Sequence, residues 1–458
     1  MKQKIILCLI GIAVLLAGCA TEETKSAPMI PGAAGGMEKE PVIEYTLPDC
    51  TPGILIDQAG YRTEDKKVAI FRGKTLPAAF YVYNEKTGET VYEGGLEVKG
   101  EDGTTGEQIG YATFTELQTP GEYYIKSDIL GYSYSFSIDD KAYEKLIAQN
   151  LQSLSSAAQD EADLSGEKIG KTSKAVVNML LAYEMHKAAF DDAAGIAESG
   201  NGIPDIVDVL LSQILFLDGK KEEVLSSTDW ETAAYYASAL AKFCYTYKEY
   251  DNVYATTCLQ LADAVWKYLE ENADKMDEEL RFMAATELYR ASGGGKYHRY
   301  IEEFCQNRTG KITSDREAVY GAVTYIATKQ RVDVDICTRF MKEIMNEAEE
   351  IAEHSKNSFY QVDTTVRQDN NEEILWDMVV LTVVDYVIAN HEYAMIIENH
   401  LHYLLGRNFL SLSYMDGVGE REYSVKEGQQ SVMDGGFQES ALLFMLSEIN
   451  DVEKQEEE

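Results

Sequence analysis

Tyr132-Ser133-Tyr134-Ser135-Phe136-Ser137-Ile138 alternates apolar and hydroxyl side chains with a period of two; a few residues later, after Lys141, the apolar spacing becomes that of a helix. Alternation of this kind predicts a strand with one buried face and one wet face. Upstream, similar short runs at Ile54–Gln58, Val68–Phe71, Phe80–Tyr83, Thr90–Glu93, Tyr111–Thr115 and Tyr123–Lys126 are separated by turn residues such as Thr87-Gly88 and Pro120-Gly121. Their spacing predicts an immunoglobulin-like β-sandwich over residues 51–140.

Downstream the pattern is helical. Val177, Leu180, Leu181 and Met185 share one stripe, Ile206, Val209, Leu210, Ile214 and Leu217 a second, and Cys258, Leu261, Ala262, Val265 and Leu269 a third. Thr228 and Glu231 have capping-box spacing, and Pro204, the last of eight prolines, suits the first turn of a helix. Counting stripes gives about twelve helices with short connections over residues 141–450, without a fixed repeat length. A toroid of paired helices is therefore expected rather than a solenoid, followed by an acidic tail at residues 451–458.

Lys2 and Lys4, the apolar run Ile5–Ala17 and the closing Leu16-Ala17-Gly18-Cys19 read as a secretory signal ending in a lipobox. The expectation is cleavage before Cys19, lipidation of its thiol, and attachment to the outer face of a bacterial membrane. Residues 20–50, with Pro28, Pro31, Pro41 and Pro48 among small and polar side chains, read as a flexible tether. The formal net charge of −37 excludes nucleic acid as a natural partner. Seven scattered cysteines offer neither a disulfide framework nor a metal-binding spacing; no metal or cofactor is expected. His400 and His402 are two apart on a helix and so point to different faces, and Cys244, Cys258, Cys305 and Cys337 read as small buried hydrophobes.

Several strings resemble one family. Ile54-Leu55-Ile56-Asp57-Gln58-Ala59-Gly60-Tyr61 is similar to the opening of the immunoglobulin-like domain that precedes many glycoside hydrolase family 9 catalytic domains. Glu198–Asp208 with its Asn201-Gly202-Ile203-Pro204-Asp205 core, Tyr254–Trp266, Arg281–Gly293, and Leu405-Gly406-Arg407-Asn408 with Ser413-Tyr414 resemble that catalytic domain. The resemblance implies an (α/α)6 barrel and, in the family, inverting hydrolysis of β-1,4-glucans. Inversion needs a carboxylate base and a protonated carboxyl acid roughly 6.5–9.5 Å apart.

The family's Asp-Ala-Gly-Asp base string is replaced here by Asp163–Lys174, which has no aspartate after Asp163 and carries Lys168, Lys171 and Lys174. A lysine, protonated at neutral pH, cannot replace the carboxylate as proton acceptor. The histidine-bearing sugar-binding string is absent between Gly419 and Ser424, and the acid's position falls near Val432-Met433, where Asp434 and Glu439 are the nearest carboxylates. The family's Trp-Gly-Ser-Asn string reads Trp376-Asp377-Met378-Val379.

The expectation is a catalytically degenerate, surface-anchored member that binds a β-glucan, another glycan or a surface protein through its former cleft. Trp376, Trp230 and Tyr414 are its candidate sugar-stacking side chains. The alternative is an active inverting endo-β-1,4-glucanase with Asp434 or Glu439 as acid and Asp163 as base. A third reading is a partner-binding protein without carbohydrate affinity.

Overall fold

The computed structural model describes residues 51–159, 166–363, 371–388, 393–420 and 436–456. Cys19, Asp163 and Asp434 lie outside the described residues. One antiparallel sheet contains β1 (Ile54–Leu55), β2 (Val68–Gly73), β6 (Glu107–Thr113) and β5 (Glu97–Asp102), in that spatial order. The second contains β4 (Thr90–Gly95), β3 (Ala79–Asn84), β7 (Gly121–Ser127) and β8 (Gly131–Tyr132), with β9 (Phe136–Ile138) also paired to β7.

Ala69 and Phe71 point into the sandwich with Phe80, Val82, Phe114 and Ile125, whereas Leu55, Ile70 and Ile109 point the other way, into the helical core. The first sheet is thus covered on both faces, and for that reason Val68-Ala69-Ile70-Phe71 reads as a continuous apolar run rather than an alternating one. The run from Tyr132 to Ile138 is two strands instead of one. Ser133 Oγ accepts the Ile125 N–H at 2.9 Å while the Ser133 N–H donates to the Ile125 carbonyl at 2.8 Å, so a side chain replaces a ladder acceptor and the chain leaves β7 before pairing again as β9. Strand β5 has no apolar signature: its charged side chains protect a sheet edge, and its backbone alone carries the pairing.

Thirteen α-helices follow among the described residues: α1 (Ala142–Gln159), α2 (Gly166–Met185), α3 (Asp205–Asp218), the short α4 (Lys221–Ser226), α5 (Trp230–Tyr247), α6 (Asn252–Glu271), α7 (Glu278–Ser292), α8 (Gly295–Asn307), α9 (Arg316–Ala327), α10 (Val334–Asn357), α11 (Asn371–Ile388), α12 (Ala394–Leu404) and α13 (Phe437–Glu456). Helix α13 continues into the expected acidic tail. Helices α2, α5, α7 and α9 pack in succession, as do α11, α13 and α2, to form an inner ring, with α1, α3, α6, α8, α10 and α12 outside them. Between α9 and α11 the ring is closed by the Tyr320–Trp376 edge-to-face contact at 5.5 Å and by Arg316, which pairs with Glu372 and, at 3.0 Å, with Glu373.

Two local expectations shift by one residue. Asp229, not Thr228, caps α5, its carboxylate accepting the Thr232 N–H at 3.0 Å. Pro204 occupies the cap position of α3 rather than its first turn. Asp205 and Asp208 then hold the preceding loop, by bonds from Ser199 Oγ at 2.8 Å and Asn201 Nδ2 at 3.0 Å respectively.

The sandwich docks on α12 and the segment after it. Gln58 N–H donates to the Leu405 carbonyl at 2.9 Å, Gln58 Nε2 to the Ser411 carbonyl at 3.0 Å, and Glu420 N–H to Gln58 Oε1 at 3.0 Å. Asp57 Oδ2 lies 2.7 Å from His402 Nδ1, with both side chains buried. Gly406, at φ 125°, passes so close that a Cβ there would fall 2.6 Å from Gln58 Nε2. Only glycine fits that backbone and that gap.

Candidate active site

Each hairpin runs from outer helix to inner helix, so the six inner helices are parallel and their N-termini open on one face. All six carry a carboxylate in the first turn: Glu167, Glu231, Glu278 with Glu279, Glu317, Glu372 with Glu373, and Glu439. The positive pole of each helix favours that placement without any catalytic demand.

Glu231 pairs with Lys174 at 2.7 Å, linking α5 to α2. Glu167 pairs with Lys171 at 2.8 Å. Glu317 accepts the Tyr235 hydroxyl at 2.9 Å, and Glu372 and Glu373 hold Arg316. Glu279 and Asp315 share Arg308. Glu439 turns outward: it accepts from Ser153 Oγ of outer helix α1, whose Asn150 also bonds the Glu439 carbonyl at 3.2 Å. Of the three sequence-derived carboxylates, Glu439 alone is described, and it is directed toward the outer layer.

Below the rim a hydrogen-bonded chain crosses the ring. Tyr320 hydroxyl donates to Asn178 Oδ1 at 2.6 Å, and Asn178 Nδ2 donates to Ser440 Oγ at 3.0 Å, joining α9, α2 and α13. Burial pushes the Tyr235 and Tyr320 phenols above their ordinary range, so both stay protonated donors. Trp376 is only 8% exposed, edge-on to Tyr320 and with the Arg316 guanidinium 5.5 Å from its ring. Tyr414 is 2% exposed, covered by the helical core. Trp230 is half-buried against Tyr268, beside a hollow bounded by Asp229, Lys275 and Asp277. Of the three stacking candidates it alone keeps a substantial open surface, and half-buried Phe437, 5.2 Å from Arg316, joins it on this face.

At the opposite end the ring is sealed by charge. Lys242 lies 3.5 Å from Glu184 and 3.3 Å from Glu287, Arg290 also binds Glu184, and Glu287 accepts from Tyr245 at 2.7 Å and Thr324 at 2.6 Å. Burial by itself would raise the Glu184 carboxyl, but Lys242 and Arg290 outweigh it and hold it below its usual value. Burial raises the Cys258 and Cys305 thiols to about 12, which makes both inert at neutral pH. No group of His, Cys, Asp and Glu suited to a metal ion occurs among the described residues.

Sequence reasoning overlooked Tyr235, Arg316 and Glu317. Their signal was positional: each lies in the first turns of an inner helix, which can be recognised only once alternate helices are assigned to the inner ring.

A β-sandwich docked on six helical hairpins, with charged and aromatic side chains gathered at the inner-helix N-termini, defines an (α/α)6 barrel with an N-terminal β-sandwich. Two family models match the chain, the cellulase N-terminal Ig-like domain over residues 49–131 and glycosyl hydrolase family 9 over residues 218–430. Over these two stretches the chain resembles the sandwich and the catalytic domain of family 9 cellulases. A cellodextrinase of Butyrivibrio fibrisolvens is 23% identical, over 81% of this chain and 85% of its own length. Endoglucanase D of Acetivibrio thermocellus is 22% identical, over 78% of this chain and 72% of its own. Among solved structures, a metagenome-derived family 9 endoglucanase superposes with a TM-score of 0.73 at 20% identity, covering 87% of this chain and 99% of that one. A family 9 protein of Bacteroides ovatus does so at 0.70 and 14% identity with the same coverage.

Proposed function

We propose that this protein is a lipid-anchored, extracytoplasmic member of this family that binds a glycan at the inner-helix face without hydrolysing it. The observation that carries the reading is the state of the carboxylates on that face. Glu231, in the first turn of α5, pairs with Lys174 of α2 at 2.7 Å, and Glu439 is turned into the outer layer. Inverting hydrolysis asks for two opposed carboxyls with water between them.

Glycan binding is supported by the family resemblance and by the remaining chemistry of the face. Trp230 and Phe437 offer apolar planes, and Lys174, Arg316 and Glu317 offer donors and acceptors for hydroxyl groups. A relative solved with a cellobiose-like isofagomine makes a short β-1,4-glucan the first ligand to try. The anchor rests on the Leu16-Ala17-Gly18-Cys19 string, and Cys19→Ser should move the protein from the membrane to the soluble fraction.

Two measurements test the reading together: reducing-sugar release from soluble β-glucan, and calorimetric titration with cellopentaose. Binding without turnover is expected. Turnover abolished by Asp434→Asn or Glu439→Gln would show a working enzyme, and absence of both binding and turnover would leave a partner-binding scaffold.

A further inference from the structure

A cavity of about 570 Å³ lies between the two domains, away from the inner-helix face. Its wall includes Lys66 from the loop before β2, Lys99 from β5 and Lys356 from the last turn of α10, with Tyr111, Phe359 and Gln361. Among the described residues no carboxylate lines it, although acidic residues outnumber basic ones 78 to 41 in the chain. Lys99 is held 4.7 Å above the Tyr111 ring and pairs with Glu97 at 2.5 Å; Lys66 and Lys356 have no carboxylate partner among the described residues. The cavity is therefore a local reversal of charge built from three separate elements.

Its other features are those of a sugar site. Tyr111 and Phe359 are half-buried, and the Tyr111 hydroxyl donates to the Phe359 carbonyl at 2.8 Å, which fixes both rings at the domain seam. Gln361 Oε1 is buried with no hydrogen-bond partner, and its backbone has a φ of 61°. A buried acceptor left open is unfavourable unless something donates to it, and non-glycine residues at positive φ concentrate at ligand sites. The cavity volume falls within the range of small-molecule sites.

We propose that this interdomain cavity binds an oligosaccharide bearing carboxylate groups, a uronic-acid-containing glycan. The lysines meet dispersed single negative charges, the aromatic rings meet the apolar faces of the sugar, and Gln361 accepts from a hydroxyl. A dense dianion such as phosphate fits less well: α10 presents its carbonyl end here, and neither a helix N-terminus nor an arginine fork is present among the lining residues. The site is independent of the inner-helix face, so it stands or falls separately from the proposal made for that face.

The test is calorimetric titration of the full chain, in mild detergent, with trigalacturonate, cellotriose and inorganic phosphate. Trigalacturonate should bind, and the exposed double variant Lys66→Glu, Lys356→Glu should weaken it by about tenfold or more with an unchanged circular dichroism spectrum. Gln361→Leu should weaken it without altering its salt dependence. Three results would each overturn the proposal: no binding of trigalacturonate, binding undiminished in the double variant, or equal competition by cellotriose or phosphate.

Discussion

Asp57→Ala should destabilise the whole molecule, because this side chain organises the domain seam. Its Oδ1 accepts from the Ala59 N–H at 2.8 Å and the Gly60 N–H at 3.2 Å, and its Oδ2 meets His402 Nδ1 at 2.7 Å. Alanine leaves three buried polar groups unpaired, each costing about 1–3 kcal/mol, partly offset by relief of a buried carboxyl; a net loss of roughly 2–4 kcal/mol follows. Asp57→Asn keeps an oxygen for the backbone donors and an amide that can pair with the other imidazole tautomer, so its cost should stay under about 1 kcal/mol. Burial holds the Asp57 carboxyl well above its ordinary range. Wild type therefore gives up stability as pH rises from about 4 through that raised value, and the asparagine variant, which cannot ionise there, does not. Urea unfolding followed by far-ultraviolet circular dichroism measures all of this. An alanine variant within about 1 kcal/mol of wild type, or an asparagine variant as damaged as the alanine one, refutes the reasoning.

Three further outcomes are expected. Burial pushes His400 down to about 4, so the neutral imidazole contributes stability that is present above pH ~6.5 and lost as pH falls toward that value; His400→Leu should flatten the fall in unfolding midpoint over this window by up to about 3 kcal/mol. Lys242→Met leaves the buried Glu184 and Glu287 short of a cation and should cost about 3–5 kcal/mol; a loss under about 1 kcal/mol would deny the sealing role of this cluster. Gly406→Ala must move either the backbone or Gln58, and a thermal melt should show a destabilisation of about 2 kcal/mol.

The change of period near Lys141 made both architectures legible, because burial on one sheet face or one helix stripe writes itself directly into apolar spacing. Strand β5 was illegible for the converse reason: an edge stabilised by its backbone and protected by charge has no apolar period. The inner-helix face was legible only through strings read as departing from the resembled family's pattern. Sequence placed Glu439 beside the acid's position, whereas rotation about α13 directs it to Ser153 of the outer layer. Trp376 kept its position but not an open face, since Arg316 and Tyr320 arrive from a helix some sixty residues earlier in the chain. Contacts of that separation leave no local trace. The Arg281–Gly293 stretch, read as part of the family likeness, proves to supply Glu287 and Arg290 to the buried charge cluster.

The opening Ile54–Tyr61 string and the late Leu405–Asn408 string, more than 340 residues apart in the chain, face one another across the seam through Gln58, Asp57, His402 and Gly406. What looked like two signatures is one joint, half from each domain. Cutting the gene between sandwich and toroid would therefore strand both halves of that joint in water, exposing carboxyl, imidazole and backbone groups that evolved under cover. The sandwich is better regarded as the thirteenth wall of the helical body than as a detachable appendage.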